Sequence, residues 1–511
     1  MVGKIKLYNS LTRKKEVFKP QNTNRVTMDG PRLRREPSSP HFVRMDGSAV
    51  AEPSSPHFVR MYTCGPTVYD HTHVGHMRTY VNTDVLRRVL EYNGFEVKQV
   101  MNVTDVGHLF GDRDLGKDKL EEAAKMEKKS AWEIAREYEK EFFETLAALN
   151  IEPPAIVCRA TEHIQEMVSL IQKIEKAGYT YLTSDGIYFD TSELKDYNRL
   201  SGMPLAKLRE GARVEKNPEK KNPTDFALWK FSPKTGPRRQ MEWDSPWGVG
   251  FPGWHIECSA MGMKYLGEAI DLHTGGLDHR PIHHTNERAQ NFVATGKEVV
   301  RFWVHNAFLL VEGQKMSKSL KNFFWLKDVL DRDFDPLALR YLFLTAHYRN
   351  EMNFTWAGLE AAAIALEKLY NELSMWDAPG KVGWTGSATP SNLATLGCAE
   401  YESKFEELIN DDLNLPEAVA LMWRLVKDQR FPTSAKMATL LKMDRVFGLK
   451  LSEVEEVKVP EEVLDLVRKR ERARREENWS GADELRDRIE QAGFRVEDME
   501  KGPVVHRVRE G

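Results

Sequence analysis

The chain has 511 residues, of which 41% are hydrophobic and 30% charged, with a formal net charge of −3. This length exceeds what a single hydrophobic core supports, so we expect three or more domains. The charge excludes a uniformly basic coat for nucleic acid, although one domain could still carry a local basic face. No run of apolar residues reaches the roughly 18 that a spanning helix needs, and the charged start, with Lys4 and Lys6, lacks the apolar core of a signal peptide, so we expect a cytoplasmic protein without a membrane segment.

The first predicted elements are a strand and turn, followed by an unusual duplication. Residues 4–20 alternate apolar and polar side chains, as a strand does. The sequence EPSSPHFVRM of Glu36–Met45 recurs identically at Glu52–Met61. One copy is too few for a stacked repeat architecture. Because the flanks are rich in Pro, Ser, Arg and Asp, we interpret residues 21–58 as a flexible insertion.

A strand, a helix and a second strand follow this insertion. Residues 58–64 (FVRMYTC) form a buried run, helical spacing of apolar residues extends from Gly75 to Asn93, and Phe95–Val103 is again strand-like. A βαβ unit of this length implies a parallel sheet. We therefore assign residues 1–20 and 59–110 to the first half of a Rossmann-like catalytic domain.

The next region reads as a domain inserted into that sheet, at residues 111–247. Residues 117–177 contain two strongly helical stretches, and a β-hairpin follows, with strands at Tyr179–Leu182 and Ile187–Asp190. The second half of the sheet should occupy residues 248–334, with strands near Ala269–His273 and Trp303–Val311.

Beyond Asp335 and Pro336, a helix cap and first helical position, nearly all of the chain has helical periodicity. We assign residues 335–460 to a helical bundle interrupted by a linker at 380–392, and residues 461–511 to a C-terminal helix and tail. The predicted fold class is α/β, a parallel-sheet catalytic domain split by an insertion and followed by an all-α region.

A phosphate-binding candidate lies where the first strand passes into the helix, in the sequence His73-Val-Gly-His76. A helix start offers unpaired N–H groups and the positive end of a dipole, both of which suit phosphates. Gly75 would let the backbone approach a nucleotide, and the two imidazoles could donate to phosphoryl oxygens. The alternative is two histidines that cap an ordinary helix.

A second phosphate-binding candidate follows a strand near Val311, in Lys315-Met-Ser-Lys318-Ser319. Two lysines on a loop can hold the pyrophosphate that leaves ATP, because phosphoryl transfer needs positive charge more than covalent help. A solvated basic loop is the alternative. Together, in this order and at this separation, the two motifs resemble the signature motifs of class I aminoacyl-tRNA synthetases, which implies that His73, His76, Lys315 and Lys318 serve catalysis.

Four further residues are candidate zinc ligands, namely Cys64, Cys258, His283 and Glu287. The last two are four apart and would share one helix face. Two thiolates, an imidazole and a carboxylate make a reasonable zinc shell, and the absence of local Cys-x-x-Cys pairs favours an active-site metal over a structural one. Buried free cysteines and a core histidine are the alternative reading.

Three segments make the resemblance closer: Tyr62–Asp70 (YTCGPTVYD), Pro252–Ser259 (PGWHIECS) and His283–Glu287 (HHTNE). Together with Phe405–Ala418 and Trp479–Gly502, they resemble the cysteinyl-tRNA synthetase family. That resemblance implies one zinc ion per chain, held by Cys64, Cys258, His283 and Glu287, with the substrate sulfur bonded to it. It also implies an amino-acid pocket lined by Thr104, Trp254 and His273, and an ATP site, used with Mg²⁺, that involves Gly75 and Lys318.

The activity implied by this family is formation of cysteinyl-adenylate and transfer of cysteine to the 3′ end of tRNA(Cys) by a monomer. The helical bundle at residues 335–460 would then contact the tRNA stem and bind the anticodon. The family commonly has Phe-Pro-His-His-Glu-Asn-Glu where this chain has Pro281-Ile-His-His-Thr-Asn-Glu287, so His284 is the rival ligand to His283. Two other functions remain open: a ligase that joins cysteine to an amino sugar, and a non-catalytic zinc-dependent RNA-binding paralogue. The long helical region disfavours the first, and the intact phosphate motifs disfavour the second.

Overall fold

The computed structural model describes residues 4–21, 57–107, 119–204, 217–232, 239–316, 320, 322–376, 397–454, 460–499 and 502–507. Most of the predicted insertion at residues 21–58, the predicted linker at 380–392, and Lys318 lie outside the described residues. The chain divides into two compact units. The first comprises residues 1–327, 343–354 and 406–416, and the second comprises residues 328–342, 355–405 and 417–511.

The first unit begins with a small antiparallel hairpin and then forms the predicted parallel sheet. The hairpin pairs β1 (Lys6–Asn9) with β2 (Lys14–Val17). The sheet has the order β11-β10-β3-β4-β5, with all neighbours parallel. Its strands are β3 (Phe58–Thr63), β4 (Glu96–Val103), β5 (Ile156–Arg159), β10 (Ile270–Gly276) and β11 (Val300–Asn306). All six residues of β3 are buried, as expected for the central strand of a sheet that is covered on both faces.

Helix α1 (Val74–Tyr92) connects β3 to β4, which confirms the predicted βαβ unit. The helix keeps its apolar positions buried and is capped by Asn93, just before Gly94, whose φ of 84° favours glycine. Helices α5 (Trp254–Leu266) and α6 (His283–Thr295) flank β10 in the chain. These three helices carry most of the residues discussed below.

The inserted region differs in detail from its sequence prediction. It has three helices, α2 (Lys119–Glu127), α3 (Ala131–Ala148) and α4 (Ile164–Lys176), where two helical stretches are expected. Between α3 and α4 the chain forms β5, which the pattern misses because only four residues pair. The hairpin is confirmed as β6 (Thr180–Thr183) and β7 (Gly186–Phe189), extended by β8 (Phe226–Phe231) and β9 (Gly250–Pro252) into an antiparallel sheet.

The single strand expected near Trp303–Val311 is two strands. The chain leaves the parallel sheet at Asn306 and starts again as β12 (Leu309–Val311), which pairs with β13 (Gln314–Lys315) and with β14 (Met352–Phe354). The side chain of Arg78, fully buried on α1, donates hydrogen bonds of 2.7–3.1 Å to the carbonyls of Ala307, Phe308, His347 and Asn350. Arg78 therefore fixes α1 to the chain that precedes the second phosphate motif.

The rest of the described chain is mainly helical, as the sequence predicts. Its helices are α7 (Leu326–Leu330), α8 (Pro336–Leu344), α9 (Trp356–Ser374), α10 (Ala399–Asn410), α11 (Leu415–Lys427), α12 (Thr433–Phe447), α13 (Glu461–Arg475) and α14 (Trp479–Gln491). The predicted C-terminal helix is interrupted at Glu477, whose φ is 56°, and a hairpin of β15 (Phe494–Met499) and β16 (Gly502–Arg507) ends the described chain.

The order of the parallel strands determines where a ligand can bind. The chain proceeds from β3 outward to β4 on one side, while β10 pairs with the other side of β3. Ligands of such sheets bind beyond the carboxyl ends of the strands where the order reverses. We therefore look for the site between the loops that follow β3 and β10.

Candidate active site

Two cysteines meet beyond the carboxyl end of the central strand. Cys64 directly follows β3, and its backbone N–H donates to the Thr274 carbonyl of β10 at 3.0 Å. Cys258 lies on the second turn of α5. Both side chains are buried, and their sulfur atoms are 4.0 Å apart without a disulfide.

The imidazole and the carboxylate predicted as ligands approach the same point from α6. His283 Nε2 lies 3.7 Å from Cys64 Sγ and 3.6 Å from Cys258 Sγ. Glu287, one helical turn further along, places its Oε1 atom 3.1 Å from that nitrogen. Three of the four predicted ligands, Cys64, Cys258 and His283, are thus brought together from three separate elements, and the fourth, Glu287, contacts His283.

The two sulfurs and the His283 nitrogen have the spacing of one face of a tetrahedral zinc shell. Zinc bonds of about 2.3 Å to sulfur and 2.0–2.2 Å to nitrogen or oxygen give tetrahedron edges of about 3.8 Å between sulfurs and 3.6 Å between sulfur and nitrogen. The observed edges are 4.0 Å for the sulfur pair and 3.7 and 3.6 Å for the mixed pairs. Moreover, Glu287 Oε1 is buried without a hydrogen-bond partner, which is the expected state of an atom reserved for a cation. The residues fit the ion.

A second layer of histidines holds this set in place. His255 and His283 share a hydrogen bond of 2.9 Å between their Nδ1 atoms, which leaves Nε2 of His283 directed at the sulfurs. His273 Nε2 lies 2.9 Å from Glu287 Oε2 and stacks on the Trp303 ring. Such contacts orient metal ligands and fix their tautomers. His273, predicted to line the amino-acid pocket, is 1% exposed and contacts the carboxylate ligand.

The electrostatics of the set favour a bound cation. Burial alone would raise the pKa of Glu287, but His273 and His283 lower it to about 2, so its carboxylate is ionised. The pKa of Cys258 is raised well above its ordinary value by its hydrogen bond with Cys64 and by burial. Buried thiols lose their protons readily only beside a positive charge, and a metal ion supplies one.

The rival ligand His284 forms no donor group with both sulfurs within the described part of the chain. Its Nδ1 atom forms a 2.8 Å hydrogen bond with His305 Nε2, and His305 Nδ1 contacts the Ser10 hydroxyl at 2.7 Å. His284 Nε2 is 3.8 Å from Glu287 Oε1 and belongs to two other possible donor groups, one with Cys64 and one with Glu287. Only His283 combines with both cysteines in such a group among the described residues.

The remaining predicted pocket residues lie beside the donor set. Thr104, just after β4, donates its hydroxyl to Glu257 Oε2 at 2.7 Å. The Trp254 ring, at the start of α5, lies 5.1 Å from the His283 ring. Glu257 is fully buried. It lies within the sequence motif PGWHIECS, but nothing in that motif distinguishes it as a functional residue.

The first phosphate motif forms the start of α1, but its backbone is not open as the sequence suggests. His73 is the N-cap, and its Nδ1 accepts hydrogen bonds from the N–H groups of Gly75 and His76 at 3.1 and 3.3 Å. The Val74 N–H donates to Phe324 O. The prediction of unpaired N–H groups is therefore wrong, and phosphate contacts are left to the rings and the helix dipole.

The rings of this motif are suited to donate. Because Nδ1 of His73 accepts, the neutral ring carries its proton on Nε2. Burial lowers the pKa of His73 to about 4, which keeps this tautomer at neutral pH. The His76 ring stacks on it with centroids 3.6 Å apart.

The second motif comes directly against the first. A Cβ atom added to Gly75 would lie 2.5 Å from the terminal methyl of Met316, which stands between the two predicted lysines. His73 pairs with Trp325 in an isolated antiparallel bridge. Lys315 ends β13, exposed, with its ammonium 6.0 Å from the Phe308 ring centre. In this structure the absence of a side chain at Gly75 therefore accommodates Met316. The sequence suggests that the same feature lets the backbone approach a nucleotide.

Sequence comparison identifies two families along the chain. The model of the class I (C) tRNA synthetase catalytic domain matches residues 50–364, and that of the cysteinyl-tRNA ligase anticodon binding domain matches residues 456–503. Cysteine–tRNA ligase 1 of Burkholderia lata is 48% identical over 444 residues, covering 86% of this chain and 91% of the relative. Cysteine–tRNA ligase of Treponema denticola is 42% identical over 458 residues, covering 86% and 93%.

The fold has relatives among solved structures as well. Methionyl-tRNA synthetase of Mycobacterium tuberculosis in complex with methionyl-adenylate superimposes with a TM-score of 0.53 at 17% identity, covering 78% of this chain and 93% of that one. This likeness concerns the fold alone. Among the described residues, no helix is both long and apolar enough to cross a bilayer.

Proposed function

We propose, from the premise that this chain belongs to the cysteine–tRNA ligase family of class I aminoacyl-tRNA synthetases, that it selects cysteine through a zinc ion held by Cys64, Cys258, His283 and Glu287. Membership rests on a catalytic-domain match over more than half of the chain and on relatives up to 48% identical. The chain is thus an enzyme that ligates cysteine to tRNA at the expense of ATP. The zinc ion and the roles of individual residues are what we propose beyond this family membership.

The observation that carries the proposal is the convergence of three of the four donor atoms, with the sulfurs of Cys64 and Cys258 and Nε2 of His283 at 3.6–4.0 Å from one another. The fourth, Glu287 Oε1, lies 3.1 Å from that nitrogen. When bound, zinc would supply a Lewis acid that prefers a thiolate to a neutral hydroxyl. Shape alone could separate cysteine from serine by only about 1–3 kcal/mol, since the two differ by one atom of similar size. A sulfur-binding ion removes the need for a separate hydrolytic site.

The nucleotide side of the cleft would be formed by His73, His76, Lys315 and Lys318. In the first step, a carboxylate oxygen of cysteine attacks the α-phosphorus of ATP, and pyrophosphate leaves with the electrons of the broken P–O bond. The Nε2–H of His73 would donate to phosphoryl oxygens as negative charge develops, while the lysines and Mg²⁺ neutralise the pyrophosphate. No protein side chain forms a covalent bond in this step.

In the second step, the terminal ribose hydroxyl of tRNA attacks the activated carbonyl, and AMP leaves. Thr104 and Trp254 would border the amino acid, with Glu257 fixing the Thr104 hydroxyl. Residues 335–460 would contact the tRNA stem. The sequence also predicts anticodon binding there, but the match of an anticodon binding domain at residues 456–503 supports the region from about 456 onward for that role. Catalysis rests on positioning and charge.

The test is zinc content together with amino-acid-dependent exchange of pyrophosphate into ATP. We expect about one zinc per chain, exchange that requires cysteine and is at least about a thousandfold weaker with serine, and charging of tRNA(Cys). A protein that carries no zinc as purified, yet exchanges with cysteine, would contradict the metal assignment without affecting the family. Charging of an amino sugar in place of tRNA would contradict the acceptor.

A further inference from the structure

His279 lies beside the donor set, close to Cys64 and His284. It stands in the turn between β10 and α6, four residues before His283. One of its ring nitrogens, Cys64 Sγ and a His284 nitrogen all lie within 4.8 Å of one another, a second group that could hold a metal ion. The ring centroid is 5.2 Å from that of His283.

The backbone of this turn fixes where the His279 ring can go. The His279 N–H donates to the Gly276 carbonyl at 3.1 Å, and its own carbonyl accepts from the N–H of His284 at 2.9 Å. A Cβ on Gly275 would lie 3.1 Å from His279 Nδ1 and 2.6 Å from a His284 ring carbon, so a glycine is needed there. The imidazole is therefore held against the donor set by its own main chain.

The ring is nonetheless the most accessible imidazole of these groups. Its side chain is 26% exposed, against 4% for His283 and 0% for His284. His279 thus borders the metal donors with part of its ring open to solvent.

We propose that His279 is an exchangeable metal ligand, which occupies the substrate's coordination position until the sulfur of cysteine displaces it. This rests on the proposed function, because it assumes the zinc site of Cys64, Cys258, His283 and Glu287. A nitrogen and the Cys64 sulfur bound to one zinc ion would lie about 3.6 Å apart. The His279 nitrogen lies within 4.8 Å of that sulfur, so a small rotation of the ring brings it to this distance. On exchange, the nitrogen–metal bond breaks, the sulfur–metal bond forms, and the thiol proton passes to water.

The consequence is a competition for the metal. A ligand must displace the imidazole in order to bind the metal, which a thiolate achieves and a neutral hydroxyl does not. His279 would then weaken by the same factor the apparent binding of every amino acid that enters this position. Removing it should tighten cysteine binding, because a competing ligand no longer has to leave.

The experiment replaces the resident metal by cobalt(II) and compares wild type with His279→Leu. Without cysteine, the visible cobalt spectrum of the variant should differ in band position and intensity, because one nitrogen donor is lost. With saturating cysteine the two spectra should coincide, and the apparent Kd for cysteine should fall at least about threefold in the variant. If His279→Leu folds poorly, His279→Gln replaces it, because glutamine keeps a polar side chain in the same turn. The same changes in the cobalt spectrum and in the Kd for cysteine are expected.

His57→Leu is the matched control, since His57 precedes the opposite end of β3 and belongs to none of the possible donor groups. Its spectra should equal those of wild type. If wild type and both His279 variants give the same cobalt spectrum without cysteine, the exchangeable ligand is refuted while the zinc site stands. If wild type binds no cobalt at the two cysteines, the proposed zinc site is refuted, and the exchangeable ligand is refuted with it.

Discussion

The sulfur side of the cleft (Cys64, Cys258, His283 and Glu287) and its nucleotide side (His73, His76, Lys315 and Lys318) are built in different ways. On the sulfur side every residue is buried, the two sulfurs already meet the His283 nitrogen, and Glu287 contacts that nitrogen. On the nucleotide side, Lys315 is exposed at the end of a two-residue strand. A metal shell has to be assembled before its ion binds, whereas charges on loops can be gathered by the phosphates themselves.

The largest effect should come from breaking the sulfur side. Cys258→Ser replaces a thiolate with a neutral hydroxyl, so we expect zinc content below about a tenth per chain and cysteine-dependent exchange reduced at least about a thousandfold. Metal analysis and pyrophosphate exchange measure both. Cys158→Ser is the matched control, because Cys158 is equally buried in the same core but belongs to no donor group, and it should keep its zinc.

On the nucleotide side, His73 should show two separable roles. His73→Ala removes both the helix cap and the ring donor, so we expect a loss of about 1 kcal/mol in stability and of about 10²–10³ in exchange rate. His73→Asn can still accept from the first turn of α1 and should lose activity with little loss of stability. Chemical denaturation and exchange assays on both variants separate the roles, and equal destabilisation by the two would contradict the cap.

The same cap predicts how stability depends on pH. Burial lowers the pKa of His73 to about 4 in the folded protein, while the unfolded chain takes up the proton near 6.5. The contribution of His73 to the free energy of unfolding is therefore complete above pH 6.5, falls as the pH decreases, and is lost near pH 4. Denaturation of wild type and His73→Asn across this window should show a smaller acid loss in the variant.

A smaller effect is expected where the two phosphate motifs touch. Gly75→Ala puts a methyl against Met316 and His73, which should raise the KM for ATP roughly tenfold through displacement of the second motif. Met316→Ala should restore part of that loss in the double variant, because the crowded methyl is removed. A double-mutant cycle measures the coupling, and strict additivity would show that the contact is irrelevant.

The smallest effect on cysteine activation should follow from a change in the C-terminal part of the second unit. Arg470 is 1% exposed and forms two hydrogen bonds of 2.8 Å with Asp498, whose pKa it lowers to about 2. Arg470→Met should destabilise α13 and its hairpin and lower the rate of tRNA charging, with exchange unchanged. A parallel fall in exchange would show that this region also supports activation.

The sequence predicts the larger elements and the ligand set, and misses what depends on contacts distant in the chain. The buried run of β3 and the helical spacing of α1 are local patterns, so the parallel sheet could be inferred. The zinc ligands were suggested by residue chemistry and assigned by family resemblance. Strand β5 and the break at Glu477 lack such a pattern, since a four-residue edge strand and one left-handed residue leave little periodicity.

Within the site, the misses have a common cause. The use of His73 as a cap and the contact between Gly75 and Met316 follow from how two distant segments pack. Likewise, nothing near His279 in the sequence relates it to Cys64, more than two hundred residues earlier. Local periodicity does not predict such contacts. The density of histidine between residues 273 and 305 nevertheless indicates that this segment belongs to the site.

The central claim, recognition of cysteine by direct bonding of its sulfur to the metal, is tested most directly by X-ray absorption at the zinc edge. The protein alone should show two sulfur scatterers at about 2.3 Å with nitrogen and oxygen completing the shell. Cysteine should raise the count to three, and serine should leave it at two. An unchanged shell at saturating cysteine would contradict the account.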